Sequence, residues 1–151
     1  MKEEDMLRTI ALSMTLATLL ACSPIDNRST NKGVARNYIE MLEHRNGSGR
    51  WELYFSDPIE LNGTEMPLDD LVKIADKMFS EYPDLQATIE DQIAEGNIVV
   101  TRVIFEGTKL IDVGGGDPEP RKVRFMAIAM DRFKGDKVVE MWHTTEDLGV
   151  R

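Results

Sequence analysis

His143 is the side chain best suited to move a proton near neutrality, because an unperturbed imidazole titrates at about pH 6.5. It stands in the run Val138-Val139-Glu140-Met141-Trp142-His143-Thr144-Thr145, whose β-branched and aromatic residues read as a strand. On that strand it shares a face with Val139, Met141 and Thr145. A two-residue turn at the preceding hairpin would set it opposite Met126, Ile128 or Met130. A histidine among methionines is a cavity group, a satisfied core residue or a contact between subunits. Two acids could work beside it. Asp91 falls on the otherwise apolar parity of its own strand, so it is either desolvated in a pocket or placed at an exposed sheet edge. Glu146 either orients His143 or carries charge at the strand end. Trp51, Tyr54 and Phe55 read as core and pocket wall. The candidate catalytic set is therefore His143, Asp91 and Glu146, and the candidate pocket is Met126, Ile128, Met130, Met141, Trp51 and Tyr54. The chemistry open to such a set is general acid–base transfer.

Other chemistries are poorly served. One cysteine excludes an intrachain disulfide and every multi-cysteine metal site, and with only His44 and His143 a histidine-rich metal site is hard to build. Asp112, Asp117 and Glu119 are interrupted by glycines and prolines without the spacing of a calcium loop, and read as solvated charges. Gly114-Gly115-Gly116 is followed by neither Gly-Lys-Ser/Thr nor a helix, so it is not a phosphate loop. The 151 residues carry 18 Lys+Arg against 27 Asp+Glu, a net charge of -9. Phosphate backbones repel that balance, and the one compact basic cluster, Arg121, Lys122 and Arg124, is too small to offset it. Nucleic acid is not an expected partner. At 42% hydrophobic and 30% charged residues the composition is that of one globular domain.

The first residues carry an address. Thr9 to Ala21 is an uncharged run, shorter than the roughly 20 residues a bilayer span needs but suited to the apolar region of a signal peptide. It ends in Leu19-Leu20-Ala21-Cys22, which resembles the bacterial lipoprotein signal, in which the cysteine is acylated and becomes the first mature residue. Residues 1–21 are then a leader, Cys22 the lipidation site and 22–30 a polar tether. Ser23 resembles the outer-membrane sorting residue, so the expected location is the cell envelope, on the outer membrane facing the periplasm. Because Glu3, Glu4 and Asp5 disagree with the positive start of a signal peptide, translation is expected to begin at Met6.

The elements that must position the candidates follow. A helix capped by Thr30 or Asn31 runs to about His44 on an apolar face of Val34, Tyr38, Met41 and Leu42. A second spans about Pro67 to Tyr82, buried through Leu68, Leu71, Val72, Ala75, Met78 and Phe79. From Leu85 the period becomes two. Leu85, Ala87, Ile89, Asp91 and Ile93 form one strand face, and Gly96-Asn97 turns into a strand over Ile98 to Phe105. Further strands cover about Lys122 to Phe133 and Lys137 to Thr145, with a mobile loop at 113–120. Helices followed by an antiparallel meander give an α+β fold in which a bent sheet wraps the helices.

Asn31-Lys32, Tyr82-Pro83-Asp84-Leu85, the run from Glu90-Asp91 through Ala94-Glu95-Gly96-Asn97 to Val99-Val100, Gly107-Thr108, Lys137 to His143 and Leu148-Gly149 together resemble the SnoaL-like polyketide cyclase family of the nuclear transport factor 2 superfamily. The resemblance covers residues 31–149 and implies a cone-shaped curved antiparallel sheet enclosing a pocket, with a homodimer formed through the sheet. It also implies cofactor-free proton transfer, with His143 at the position usually held by an aspartate. Two readings of function follow. One is a lipid-anchored domain whose pocket binds a small hydrophobic molecule. The other is a cyclase, isomerase or lyase that uses His143 as general acid/base on a carbonyl-bearing substrate.

Overall fold

The computed structural model describes residues 28–43, 50–111, 114 and 119–149. The expected leader, Cys22 and most of the tether, together with His44, Asp112 and Asp117, lie outside the described residues. The element order is α1 (Arg28–Glu43), a 3-10 turn (Trp51–Leu53), β1 (Phe55–Leu61), β2 (Thr64–Met66), α2 (Leu68–Glu81), β3 (Gln86–Glu95), β4 (Ile98–Ile111), β5 (Glu119–Lys134) and β6 (Lys137–Asp147). Six strands form one sheet in the order β2-β1-β6-β5-β4-β3. Every neighbouring pair is antiparallel except β1 with β6. This is the expected α+β architecture, a curved sheet with its N-terminal helices on one face.

The helices form where the apolar period asks for them. α1 turns Ala35, Tyr38 and Ile39 into the core. Asn31 is not its cap. It lies inside the helix, 1% exposed, with its Oδ1 unpartnered. α2 follows Pro67 and buries Leu68, Leu71 and Ala75. Its first turn has orphan N–H groups, and Asp57 of β1 supplies the acceptor: the Leu68 N–H donates to Asp57 Oδ1 at 3.0 Å. The short β1–β2 hairpin turns at Asn62 and Gly63, both at positive φ, a conformation these two residue types accept most readily. Its strands were hidden in the sequence because Asp57, Pro58, Glu60 and Glu65 break any apolar alternation.

The inner face of the sheet meets the helices through Ile59, Val99, Val103, Phe105, Phe133 and Val138, each under 9% exposed. Two bulges decide which residues reach that face. In β3 the register shifts between Ile89 and Asp91. Ala87 and Ile89 face the core before the shift, Ala94 does so after it, and Ile93 is left 68% exposed. In β6 the register shifts so that Phe133 faces Val138 while Arg132 faces Glu140. One extra residue, Val139, is accommodated there. β4, β5 and β6 all run longer than the alternation alone delimits, and Glu119 and Pro120 of the expected loop begin β5.

Candidate functional site

Between α1, α2 and the inner face of the sheet lies an apolar cavity of about 190 Å³. Its sheet wall includes Ala127 and Ala129 of β5 and Met141, His143 and Thr145 of β6; its helical wall includes Tyr38, Ile39, Leu71 and Met78, and Trp51 and Phe55 close one side. The two alanines make the space. At their positions a larger side chain would fill the gap, whereas the bulky Met126, Ile128 and Met130 alternate with them on the opposite face. The volume is below the roughly 300–1,000 Å³ usual for drug-sized ligands, which favours a compact molecule or part of a longer one.

One acid is buried on this inner face. Asp131 follows Ala129 on the same side of β5, lies directly across from Met141 and Val99, and has no exposed surface. The Tyr38 hydroxyl, from α1, donates to its Oδ2 at 2.7 Å, while Oδ1 has no hydrogen-bond partner. Burial pushes the Asp131 carboxyl up to about 7, a rise that the Tyr38 hydrogen bond only partly opposes. Tyr38 itself is driven well above its ordinary value, first by burial and then by the adjacent Asp131 charge and hydrogen bond, so it stays protonated and remains the donor. Asp131 does not itself line the void; its partner Tyr38 and its neighbours Ala129 and Met141 do. A polar group that does stand in the cavity wall is also unsatisfied, the indole N–H of Trp51. Buried polar atoms without partners are uncommon in folded proteins, and here two of them flank one cavity.

The bulge at Val139 decides where His143 falls. A regular two-residue hairpin would pair it with Ile128; the extra residue pairs it instead with Ala129. His143 consequently stands on the cavity side with Met141 and Thr145, solvent-exposed at the rim. Asn62 holds the strand there, accepting from the His143 N–H through Oδ1 and donating its own N–H to the Met141 carbonyl, both at 2.9 Å. Asp131 is the diagonal neighbour of His143 across β5 and β6.

The remaining candidates are redistributed. Met126, Ile128 and Met130 lie on the outer face by the unbroken alternation of β5, opposite Glu146, Thr144 and Trp142, and the bulge in β6 parts His143 from them. They are not cavity residues, and Glu146 does not share a face with His143. Val139, expected beside His143, is the bulged residue, and Val138 takes the buried place. Asp91 is likewise turned outward by the β3 bulge, where its Oδ2 accepts from Arg102 at 2.5 Å. Met141 and Trp51 line the cavity. Tyr54 packs against the core without reaching the void. No cluster of metal-ligating side chains exists among the described residues. Asp131 and Tyr38 were absent from the sequence-based site. The signal available was the single carboxylate in Phe125-Met126-Ala127-Ile128-Ala129-Met130-Asp131-Arg132-Phe133 and the hydroxyl on an otherwise apolar helix face.

A curved sheet packed over two helices, with an acid buried beside an apolar cavity, defines the nuclear transport factor 2-like class of small pocket proteins. Within that class, the SnoaL-like polyketide cyclase family model matches residues 32–151, and the chain belongs to this family. Among solved structures it is similar to a SnoaL-like polyketide cyclase from Agrobacterium tumefaciens, at 20% identity and TM-score 0.67, over 77% of this chain and 91% of that one. It is also similar to IdmH from Streptomyces antibioticus, proposed to be a polyketide cyclase, at 21% identity and TM-score 0.65, over 77% and 91% of the two chains. A third similar structure is AclR from Streptomyces galilaeus, proposed to be a hydroxylase, at 22% identity and TM-score 0.67, over 79% and 76%. These identities establish a shared fold; the chemistry has to be argued from the site. No curated protein matches the chain.

Proposed function

We propose that the protein is a cofactor-independent acid–base catalyst of the cyclase or isomerase type, acting on a small apolar molecule that bears a carbonyl. The observation that carries this reading is Asp131: fully buried, clasped by Tyr38 and poised at about 7 beside the cavity. A general base is most effective when its pKa lies near the working pH. In this reading the substrate presses between Ala129 and Met141, which cover Asp131, and the carboxylate so reached removes a proton from carbon next to the substrate carbonyl and returns it at the end of the cycle. Tyr38 holds one carboxylate oxygen and leaves the other for the proton. The Trp51 N–H is available to a substrate oxygen, and His143 at the rim is a second proton carrier. The apolar walls exclude water, which keeps the developing enolate from being quenched.

The domain is proposed to be residues 31–151, held at the cell envelope by a lipid on Cys22 through the tether at 22–30, after removal of residues 1–21. The outer face of the sheet is proposed to pair with a second copy. Its Ile128 and Trp142, 37% and 43% exposed, are apolar surface that a partner would cover.

A small activated carbon acid tests the proton-transfer reading without knowledge of the natural substrate. With 5-nitrobenzisoxazole, which opens when a base takes its carbon-bound proton, the rate is expected to rise with pH and level off above a midpoint near 7. Asp131→Asn should abolish that dependence and lower the rate by about 100-fold or more, in the range usual for loss of a general base. Binding of the probe with no pH-dependent turnover, or an Asp131→Asn rate equal to wild type, would defeat the catalytic reading and leave a ligand carrier.

A further inference from the structure

The cavity does not end at its rim. A larger groove of about 670 Å³ adjoins it along the far end of the inner face, and Met78, Phe125 and Thr145 line both spaces. Ile111 and Val123 continue the apolar floor. Four cations line the groove, and two of them, Lys109 of β4 and Arg121 of β5, stand directly opposite each other in the strand register. Like charges facing across a strand pair repel, so this pairing by itself costs the fold. It is also against the trend of a chain with 27 acidic and 18 basic residues.

The surrounding charges make the contrast sharper. On neighbouring register positions the cations are matched: Arg124 Nε donates to Glu106 at 2.8 Å, and Lys122 lies 3.6 Å from Asp84. The carboxylate beside Lys109 is Glu81, at a long 3.8 Å, and the Lys109 ammonium also interacts with the Tyr82 side chain, 5.4 Å from the centre of the ring. Arg121 has no carboxylate partner among the described residues. Asp147, which also lines the groove, accepts from the Gly149 N–H at 2.8 Å. An aromatic row leads from the cavity to the cations, with Phe105 stacked on Phe125 at 5.1 Å and Phe125 against Tyr82 at 5.9 Å. From Phe125 to Arg121 the strand advances about 13 Å.

We propose that cavity and groove form one elongated site for an amphiphilic carboxylate. Lys109 and Arg121 receive the carboxylate, and the apolar body runs over Phe125 toward Ala129 and Tyr38. This rests on the cavity being the ligand site, as in the reading above, but not on Asp131 carrying the proton. The anion end sets substrate class and orientation; the apolar end meets the chemistry.

Decanoate and decan-1-ol, which share a chain length and differ in head group, test this with the full chain. Trp51 lines the cavity, so tryptophan fluorescence can follow binding. At low salt decanoate should bind about tenfold tighter than decanol, a preference worth about 1.4 kcal/mol, and added salt should shrink it. The Lys109→Gln/Arg121→Gln double variant should lose that preference while binding decanol as wild type does, which also shows that the fold is intact. Asp131→Asn should keep the preference. Equal affinity for the two probes in wild type, a preference untouched by the double variant, or binding of neither probe would overturn the proposal. A decanoate preference that survives while Asp131→Asn leaves proton transfer unchanged would sink the catalytic reading alone.

Discussion

At the scale of single residues, the burial of Asp131 is also a statement about stability. Its folded pKa of about 7 lies above the roughly 3.9 of an unfolded aspartate. Below pH 4 both states hold the proton and the group costs little. As the pH rises from there toward 7 the unfolded chain releases its proton while the folded chain keeps it, so stability falls. Above the folded value the whole penalty is present, roughly 4 kcal/mol as an upper bound. Asp131→Asn is therefore expected to be more stable than wild type at pH 8, by on the order of 2–4 kcal/mol, with the gap closing toward pH 4. Urea denaturation at the two pH values measures it; a gap that does not change with pH would mean that Asp131 is not the titrating group. Tyr38→Phe removes the hydrogen bond that holds the carboxyl down, and so should move the midpoint further up.

At the scale of elements, the fold was largely legible and the site was not. The helices and the four-strand meander follow from periods of 3.6 and 2, and their observed bounds differ from the expected ones mostly at the ends. The site depended on strand phase, and each bulge inverted that phase for everything beyond it. Asp91 was expected on the wrong face because of the shift after Ile89, and His143 was expected beside the β5 methionines because the extra residue at Val139 was not foreseen. Both parities of β5 are apolar, so size gave no warning that the alanines, not the methionines, face the cavity. Asp131 was overlooked for the same reason, since its burial depends on a pairing that composition does not encode. The cross-element cap at Asp57 is another contact of this kind. Asp57→Ala should lower stability by about 1 kcal/mol by stripping the first turn of α2 of its acceptor. The shift in the midpoint of urea denaturation, with an unchanged slope, would register it; no shift would mean that solvent replaces Asp57 without cost.

At the scale of the whole molecule, the proposed anchor and the proposed dimer make one joint prediction. A Cys22→Ser chain should fail to take up labelled palmitate, leave the membrane fraction, and sediment as a dimer. Adding Ile128→Glu to the exposed outer face should shift it to a monomer. Palmitate incorporation without Cys22 would remove the anchor reading, and a sedimentation mass indifferent to Ile128→Glu would remove the sheet-mediated dimer.

The position of β6 has a consequence for how the chain comes into being. It is the latest strand in the sequence, yet it lies inside the sheet, between β1 and β5. Until Lys137 to Asp147 are available, β1 and β2 have no sheet to join and the cavity lacks one wall. The domain thus cannot close until β6 is made, and the first strand must wait some eighty residues for its neighbour, a separation that slows folding. If residues 1–21 are the export leader proposed above, that late closure is an advantage: the sheet stays open until β6 is available to join it.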